Sequence, residues 1–239
     1  MLKLENIWFS VVENGVKKDI LKNINIEIKD DEFVVITGPN GSGKSTLAKL
    51  IMGIDKPTDG KIIFDGIDIT NMPIDERAKL GIGFAFQQPV KFKGMTVRDL
   101  IEISAGGKVD LATACDYLSN VGLCAKEYID RPIDDKLSGG ELKRIEIAVL
   151  DARQSKLSIF DEPEAGIDLW SFNNLIKVFK RIQERNVATM IISHQERLIS
   201  IADKVILLSN GKVIKIDTPS NILADIRAEA KCNGISGRR

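Results

Sequence analysis

The sequence predicts an α/β protein: a mostly parallel core sheet, an antiparallel β subdomain at the N-terminus and an inserted α-helical subdomain. The first observation behind this class is an alternation of short apolar runs with helical patterns, which is typical of a parallel sheet with helices on its faces. The second is strand-like alternation at the start of the chain, and the third is a helical period in its middle. The alternating runs and helices cover residues 157–160, 167–185, 188–192, 195–201 and 205–208.

The N-terminal subdomain is predicted from two segments, residues 4–12 and 20–28, that alternate apolar and polar side chains. The turn-like Glu13-Asn14-Gly15 joins them, so they are expected to pair as antiparallel strands. The short apolar run at 33–36 precedes a glycine loop and has the character of a buried parallel strand. Two shorter elements follow, a strand at 61–64 and a helix at 74–80 that Gly81 ends.

The helical subdomain is predicted from the period of residues 96–126, and it is expected to occupy about residues 90–150 within a single domain of residues 1–230. Further strand and helix patterns lie at 212–216 and 219–230. The polar, Gly-containing segment 231–239 is expected to be a flexible tail.

Composition bounds the possible functions. The chain has 239 residues, of which 44% are hydrophobic and 28% charged, as in ordinary globular proteins. Lys and Arg together number 34, equal to Asp and Glu, so no net charge favours nucleic acid or an anionic membrane. The longest uncharged stretch, residues 33–43, is well short of the roughly 20 apolar residues that a membrane helix needs. With three cysteines and no CxxC spacing, we expect a cytoplasmic protein in a reducing compartment.

A phosphate-binding loop is predicted at residues 38–45, which fit G-x-x-x-x-G-K-[ST] between a strand and a helix. The glycines allow backbone N–H groups to surround phosphates, and the helix N-terminus adds partial positive charge. Lys44 is expected to reach the β- and γ-phosphates, and the Ser45 hydroxyl to be a ligand of Mg²⁺. The predicted nucleotide-binding residues are Gly38, Pro39, Asn40, Gly41, Ser42, Gly43, Lys44, Ser45 and Thr46.

Three further polar residues follow buried strands. Asp161 and Glu162 come after the run 157–160, at the strand end where parallel sheets bind ligands. We expect Asp161 to be an outer partner of the magnesium shell and Glu162 to orient or deprotonate an attacking water. His194 follows the strand at 188–192 and is expected to contact the γ-phosphate or to position Glu162. The alternatives are a helix N-cap for the acidic pair and a structural role for the histidine.

The segment Leu137-Ser138-Gly139-Gly140-Glu141 completes a set of motifs that resembles the ATP-binding cassette family. This resemblance implies an ATPase that uses ATP and Mg²⁺, in which Ser138, Gly139 and Gly140 cap the γ-phosphate held by another subunit. It therefore implies a head-to-tail dimer. Phe86-Gln87-Gln88-Pro89 resembles the glutamine loop of the family, which implies that Gln87 contacts the metal and the water.

Within that family the chain looks most like the SufC group, ATPases of SUF iron–sulfur cluster assembly. The resemblance rests on the signature continuing to Glu146, where transporter cassettes more often have a small residue, and on Val11, where they usually carry an adenine-stacking aromatic. It implies a SufB- or SufD-type scaffold as partner. The alternative is the ATP-binding subunit of a membrane transporter, and for the base, stacking on Trp8 or Phe9. Pro163-Glu164-Ala165 departs from the SufC pattern.

Lys143 prompts one more hypothesis, a latch in the resting monomer. In it Lys143 pairs with Glu162 or Glu164 and holds the catalytic carboxylate away until a partner binds. The alternative is a solvated surface pair of little energetic weight.

Overall fold

The computed structural model describes residues 1–90, 92–134, 136–185 and 187–236, with the backbone alone described at 169–171 and 229–236. The strands are β1 (Leu2–Glu13), β2 (Val16–Ile28), β3 (Phe33–Thr37), β4 (Asp59–Phe64), β5 (Ile67–Asp68), β6 (Ile82–Ala85), β7 (Leu157–Asp161), β8 (Ala188–Ile192), β9 (Lys204–Ser209) and β10 (Lys212–Asp217). The helices are α1 (Lys44–Met52), α2 (Ile74–Leu80), α3 (Val97–Ala105), α4 (Leu111–Asn120), α5 (Ala125–Tyr128), α6 (Gly139–Ala152), α7 (Leu169–Glu184), α8 (Glu196–Ile199) and α9 (Pro219–Ser236).

The core sheet has the strand order β10-β9-β3-β8-β7-β6. All of its pairs are parallel except β10 with β9, which is antiparallel. Every residue of β3, β7 and β8 is buried, because helices cover one face of the sheet, and α1 with the N-terminal strands covers the other. The predicted α/β class with a mostly parallel sheet is confirmed. Its carboxyl edge carries the phosphate loop, the acidic pair and His194 on three neighbouring strands.

Strand β6 is an element that the sequence pattern did not predict. It forms the edge of the core sheet beside β7, with Phe84 opposite Ile159. Glycines at 81 and 83 interrupt the apolar run and weaken its strand signal. Gly83 packs closely on α6, since a Cβ there would lie 2.4 Å from Leu150 Cδ1 and that side chain would have to move. This close approach brings helix α6 against the strand that leads to Gln87.

The N-terminal sheet is antiparallel, in the order β2-β1-β4-β5. Asn14 and Gly15 at the β1–β2 turn both have positive φ, 52° and 77°, as a tight hairpin turn requires. One face of this sheet is buried against α1 and the core sheet in a shared apolar cluster that includes Leu4, Ile26 and Leu47. That packing fixes β2 beside the phosphate loop.

Helices α3 to α6 lie between β6 and β7 in the chain, where the helical subdomain was expected. Their buried side chains, Ile101, Leu118 and Ile145 among them, share one apolar cluster with Phe160 of β7 and Ile191 of β8. Helix α3 begins with a capping box. The Thr96 side chain accepts from the Asp99 backbone N–H, and the Asp99 side chain accepts from the Thr96 backbone N–H. The insertion is therefore packed directly on the core sheet.

At the C-terminus helix α9 continues to Ser236, beyond the predicted end at residue 230. The segment 231–236, expected to be tail, continues this helix in the structure although it contains Asn233 and Gly234. The last part of the expected tail, residues 237–239, lies outside the described residues. Of the helices in the described part of the chain, none combines the length and apolar character that crossing a bilayer requires.

Candidate active site

The phosphate loop joins β3 to α1, and its glycines are required at particular points. Gly38 has φ 143°, and a Cβ there would lie 1.8 Å from Leu208 O of the neighbouring strand β9. Gly43 is the left-handed N-cap of α1, with φ 99°. The first turn of α1 contains no acidic residue, and no side chain caps it. Its free N–H groups and the helix dipole therefore suit an anion such as a phosphate.

Lys44 is buried, and its side chain is held by the loop itself. Nζ donates to Gly38 O over 2.8 Å and to Pro39 O over 3.0 Å. Burial lowers the pKa of Lys44, while the charges of Glu162 and Asp161 oppose that change. Two of the three ammonium hydrogens thus anchor the side chain, which leaves the third for an anionic ligand.

Ser45 and Asp161 form the candidate metal site. Ser45 Oγ donates to Asp161 Oδ1 over 3.0 Å, and Asp161 is buried at the end of β7. Burial raises the pKa of Asp161, against the hydrogen bond from Ser45. A hydroxyl and a carboxylate fit Mg²⁺, which prefers oxygen ligands and otherwise keeps waters and substrate phosphates. Among the described residues no group of three or more His, Cys, Asp or Glu is placed to hold a metal ion.

Glu162 lies between Gln87 and His194. Gln87 Nε2 donates to Glu162 Oε2 over 2.6 Å, and His194 Nε2 lies 3.6 Å from Glu162 Oε1, longer than a hydrogen bond. Glu162 has φ 46°, a left-handed conformation that is uncommon outside glycine and often marks a functional position. Burial and the charge of Lys44 lower the pKa of His194, so its imidazole is neutral at pH 7.

A cleft of 620 Å³ brings most of the predicted site residues together. Gly38, Pro39, Ser42 and Asp161 lie outside its lining. Gly38 and Pro39 hold Lys44 through their carbonyls, and Asp161 accepts from Ser45, which does line the cleft. The cleft is lined by Lys18, Ile20, Asn40, Gly41, Gly43, Lys44, Ser45, Thr46, Gln87, Glu162 and His194.

Lys18 and Ile20 were not predicted at this site. They belong to β2, and their place follows from packing: a Cβ on Gly43 would lie 2.6 Å from Leu21 Cδ2, next to Ile20. Val11 is the position that corresponds to the adenine-stacking aromatic of transporter cassettes. It pairs with Lys18 across the hairpin and does not line the cleft. The apolar wall available to a base is therefore Ile20, which only the strand pairing reveals.

The segment Ser138-Gly139-Gly140 begins helix α6 and does not line the cleft of its own chain. Ser138 Oγ accepts from Glu141 N over 3.2 Å, and Glu141 Oε2 accepts from Ser138 N over 2.7 Å, a capping box. The hydrogen bond from the Tyr128 hydroxyl is the largest cause, and the one from Ser138 N–H the next, of a pKa of Glu141 lowered to about 2. Ser138 and Gly139 are exposed, so this helix N-terminus faces outward.

The expected latch is not formed: Lys143 pairs with neither Glu162 nor Glu164. Its fully buried Nζ donates to Phe86 O and lies 3.2 Å from Glu146 Oε2. Glu164 Oε1 instead accepts from Ser193 Oγ over 2.5 Å. The reason is the helical period, since residues 143 and 146 lie one turn apart on the face of α6 that packs on β6. The solvated alternative is excluded as well, because Lys143 has no exposure.

Comparison with known proteins places these features in a family. Residues 21–165 match the family model described as ABC transporter. An uncharacterized ABC transporter ATP-binding protein, MJ0035 of Methanocaldococcus jannaschii, is 39% identical, over 93% of this chain and 90% of that protein. The probable ATP-dependent transporter ycf16 of Cyanidium caldarium is 33% identical over 82% and 84%. Among solved structures, the dimeric post-hydrolysis state of the ATP-binding cassette MJ0796, bound to ADP and Pi, has a TM-score of 0.83 and 27% identity, and covers 92% of this chain and 99% of that one.

Proposed function

Because the chain belongs to the ABC transporter family of ATP-binding cassettes, and is therefore a magnesium-dependent ATP hydrolase, we propose that it is the ATPase of SUF iron–sulfur cluster assembly. ATP-driven, head-to-tail pairing of two cassettes remodels a scaffold of the SufB or SufD type. The observation that carries this proposal is Glu146. It stands where the resemblance to transporter cassettes leads one to expect a small residue more often, and in the structure it contacts the backbone beside Gln87, with Phe86 N donating to Glu146 Oε1 over 2.9 Å.

ATP binding is assigned to the loop and to the start of α1. Loop N–H groups and Lys44 hold the β- and γ-phosphates, and Ile20 packs against the base. Ser45 and Asp161 hold Mg²⁺, which when bound offsets the negative charge of the phosphates. The close pairing of these two oxygen ligands supports that assignment.

Hydrolysis is assigned to Glu162, with Gln87 and His194 orienting its carboxylate. Glu162 orients a water and accepts its proton as the water oxygen attacks the γ-phosphorus. The bond from the γ-phosphorus to the bridging oxygen breaks, and ADP leaves with that electron pair, so the products are ADP and phosphate. The contact of Gln87 with Glu162 supports a role in orienting the water. Its further role as a metal contact stays a prediction.

Pairing of two cassettes is supported by the position of the segment Ser138–Gly140. These residues present an outward helix N-terminus and do not line the cleft of their own chain. A second copy, turned head to tail, supplies the same N–H groups to the γ-phosphate of the first. Hydrolysis is then coupled to dimer formation, which is the movement that acts on the scaffold.

A protein partner is supported by an apolar groove of 350 Å³ beside Gln87, between β6, α3 and α6. Val90, Phe92 and Ile103 are exposed there, and Phe84, Phe86 and Met95 also line it. Exposed apolar side chains in one groove are typical of protein interaction sites. The groove adjoins the glutamine loop, so a scaffold segment seated in it contacts the residues that precede the site.

The experiment is to tag the chain in its host, carrying Glu162→Gln, and to purify it with ATP and Mg²⁺. We expect a water-soluble scaffold protein to copurify, and we expect iron–sulfur enzymes to lose activity when the chain is depleted. Lys44→Ala, which is expected not to hold ATP, is the matched control for the nucleotide-dependent complex.

The second candidate is the ATP-binding subunit of a membrane transporter, which the name of the ycf16 relative favours. It predicts a different outcome of the same purification. A polytopic membrane protein would copurify, and depletion would impair uptake or export while iron–sulfur enzymes stay active. That result would contradict the SUF assignment but not ATP hydrolysis.

A further inference from the structure

Phe86 is held at both of its backbone polar groups by one buried ion pair on helix α6. Its N–H donates to Glu146 Oε1 over 2.9 Å, and its carbonyl accepts from Lys143 Nζ. Lys143 Nζ in turn lies 3.2 Å from Glu146 Oε2. We propose that this pair, the Phe86 clamp, positions Gln87 for ATP hydrolysis. Lys143 and Glu146 are positioning residues, because they act on the reaction through Gln87.

The clamp is placed where the chain leaves the core sheet. Strand β6 ends at Ala85, so beyond it no strand pairing fixes the backbone. Phe86 is the next residue, and its ring packs edge-on against Phe84 at 4.7 Å between centroids. Gln87 follows and reaches Glu162 over 2.6 Å. The position of the carboxamide therefore depends on how firmly Phe86 is held.

The burial of Lys143 and Glu146 indicates that these charges do not serve merely to keep the surface of the protein soluble. The side chain of Lys143 is 0% exposed and that of Glu146 is 17% exposed. Ions in such surroundings lose hydration, which a single ion-pair contact rarely offsets, so a buried pair gives weak evidence of stabilisation. Here each ion also bonds one Phe86 backbone group. The pair thus fixes the backbone of Phe86, which two nonpolar side chains could not do because they form no hydrogen bonds.

The same pair connects two parts of the proposed site. Helix α6 begins at Ser138–Gly140, the segment assigned to the γ-phosphate of a second chain, and Lys143 lies about one turn further along it. A displacement of this helix end moves the clamp, and through it Phe86 and Gln87. The inference rests on the proposed roles of Gln87 and Glu162 in hydrolysis.

The test compares ATP hydrolysis by full-length Lys143→Met, Glu146→Gln and Glu146→Ala with that of Lys204→Met. Lys204 is a matched control, because it also joins an ion pair and bonds a backbone carbonyl. It pairs with Glu32 over 2.6 Å and donates to Glu27 O over 2.7 Å, and the side chains of Lys204 and Glu32 are 21% and 15% exposed. It lies at the start of β9, at the sheet edge opposite the phosphate loop. Each variant is made both in the wild-type chain and in Gln87→Ala.

We expect Lys143→Met and Glu146→Ala to lower kcat roughly tenfold or more and to leave KM for ATP within about twofold, since misplacing a catalytic group costs rate more than binding. Lys204→Met should change neither value. Glu146→Gln keeps an oxygen for Phe86 N–H and should recover part of kcat. Hydrogen exchange at the Phe86 amide should be faster in Glu146→Ala than in the wild type and Lys204→Met.

The double variants decide between positioning and general stability. If the clamp acts through Gln87, Glu146→Ala lowers kcat no further in the Gln87→Ala chain. An equal fold loss in both backgrounds would overturn the clamp. Should Glu146→Ala fail to fold, Glu146→Gln carries the same comparison. If Glu162→Gln is inactive while the Lys143 and Glu146 variants keep wild-type kcat, the clamp is overturned and the proposed site stands. If Glu162→Gln keeps wild-type kcat, the proposed site is overturned, and the clamp with it.

Discussion

Gln87 and Glu162 come from the ends of two neighbouring parallel strands and are joined by a hydrogen bond of 2.6 Å, from Gln87 Nε2 to Glu162 Oε2. His194 Nε2 lies 3.6 Å from the other oxygen of the same carboxylate. Both oxygens of Glu162 therefore have a polar neighbour. The hydrogen bond from Gln87 orients the carboxylate that we assign to the attacking water, and His194 lies beside the carboxylate without bonding it.

Glu162→Gln should retain ATP binding and lose turnover. The amide occupies the same space but cannot accept a proton, and such groups contribute roughly 10²- to 10⁴-fold to rates. We expect kcat to fall by that range and an ATP-bound dimer to accumulate. Steady-state hydrolysis and size-exclusion chromatography with ATP measure the two effects. Unchanged hydrolysis would refute the assignment of the base.

Ile20→Ala should weaken ATP binding, because Ile20 is an apolar wall of the cleft. Removing part of that surface is expected to raise Kd for ATP roughly three- to tenfold. Val11→Ala, outside the cleft lining, should stay within about twofold of the wild type. Titration with a fluorescent ATP analogue measures both variants. A larger rise in Kd for Val11→Ala than for Ile20→Ala would indicate that the base binds on the β1 side of the hairpin instead.

Gly38→Ala and Gly41→Ala should differ sharply, although both glycines have positive φ. A Cβ at Gly38 would overlap Leu208 O at 1.8 Å, whereas one at Gly41 would meet nothing within 4 Å. Gly41→Ala carries only the conformational strain of alanine, about 1 to 2 kcal/mol. Gly38→Ala must also displace strand β9 or the loop. Thermal unfolding with and without ATP should show the greater loss at 38, and equal losses would contradict the close approach.

Arg77→Met should destabilise the chain strongly. The buried guanidinium donates to four backbone carbonyls, those of Leu50, Ile51, Thr70 and Met72, and so caps the end of α1. Burial lowers the pKa of Arg77 to about 10, so it stays charged at pH 7. Leaving these carbonyls without a donor should cost about 3 to 5 kcal/mol in the free energy of unfolding.

Urea denaturation measures this loss, with Arg227→Met as control. Arg227 pairs with Glu196 over 2.6 Å at an exposed site, where ion pairs contribute little. We expect the midpoint of Arg227→Met to match the wild type within error. Similar midpoints for both variants would mean that Arg77 does not cap α1.

Glu164→Gln should change how stability depends on pH. Burial raises the pKa of Glu164 above its ordinary 4.5, against the hydrogen bond from Ser193. Between 4.5 and the raised pKa, the folded chain binds more protons at this carboxyl than the unfolded chain does. Its contribution to stability is therefore present below pH 4.5 and is lost as pH rises through that window. Relative to Glu164→Gln, the wild type should lose stability over this range.

Urea denaturation at several pH values from 4.5 to 7.5 measures the difference between the two chains. Glu196→Gln is the control with the opposite sign, because the hydrogen bond from Arg227 lowers the pKa of Glu196. There the wild type should gain stability relative to the variant as pH rises toward 4.5, so this pair is also measured from about pH 3 upward, and its difference should be nearly flat from 4.5 to 7.5. A flat difference for Glu164→Gln would mean that its carboxyl titrates normally in the folded chain.

The sequence by itself determined the features that short segments specify. The α/β class, the antiparallel N-terminal strands and the end of α2 at Gly81 follow from periodicity and from glycine chemistry, which act over a few residues. The phosphate loop is equally local. The nearness of Asp161 and His194 to it was predictable because ligands gather at the carboxyl ends of parallel strands. Their roles in hydrolysis stay predictions.

Tertiary structure alone decided which distant groups meet. Strand β6 is recognisable only by its pairing with β7, because glycine weakened its local signal. Lys143 was expected at the acidic residues after β7, yet it bonds Phe86 and Glu146. Ile20 reaches the cleft through the register of β2. In each case the partner of a buried or edge group depends on how elements pack, and no pattern along the chain records that choice.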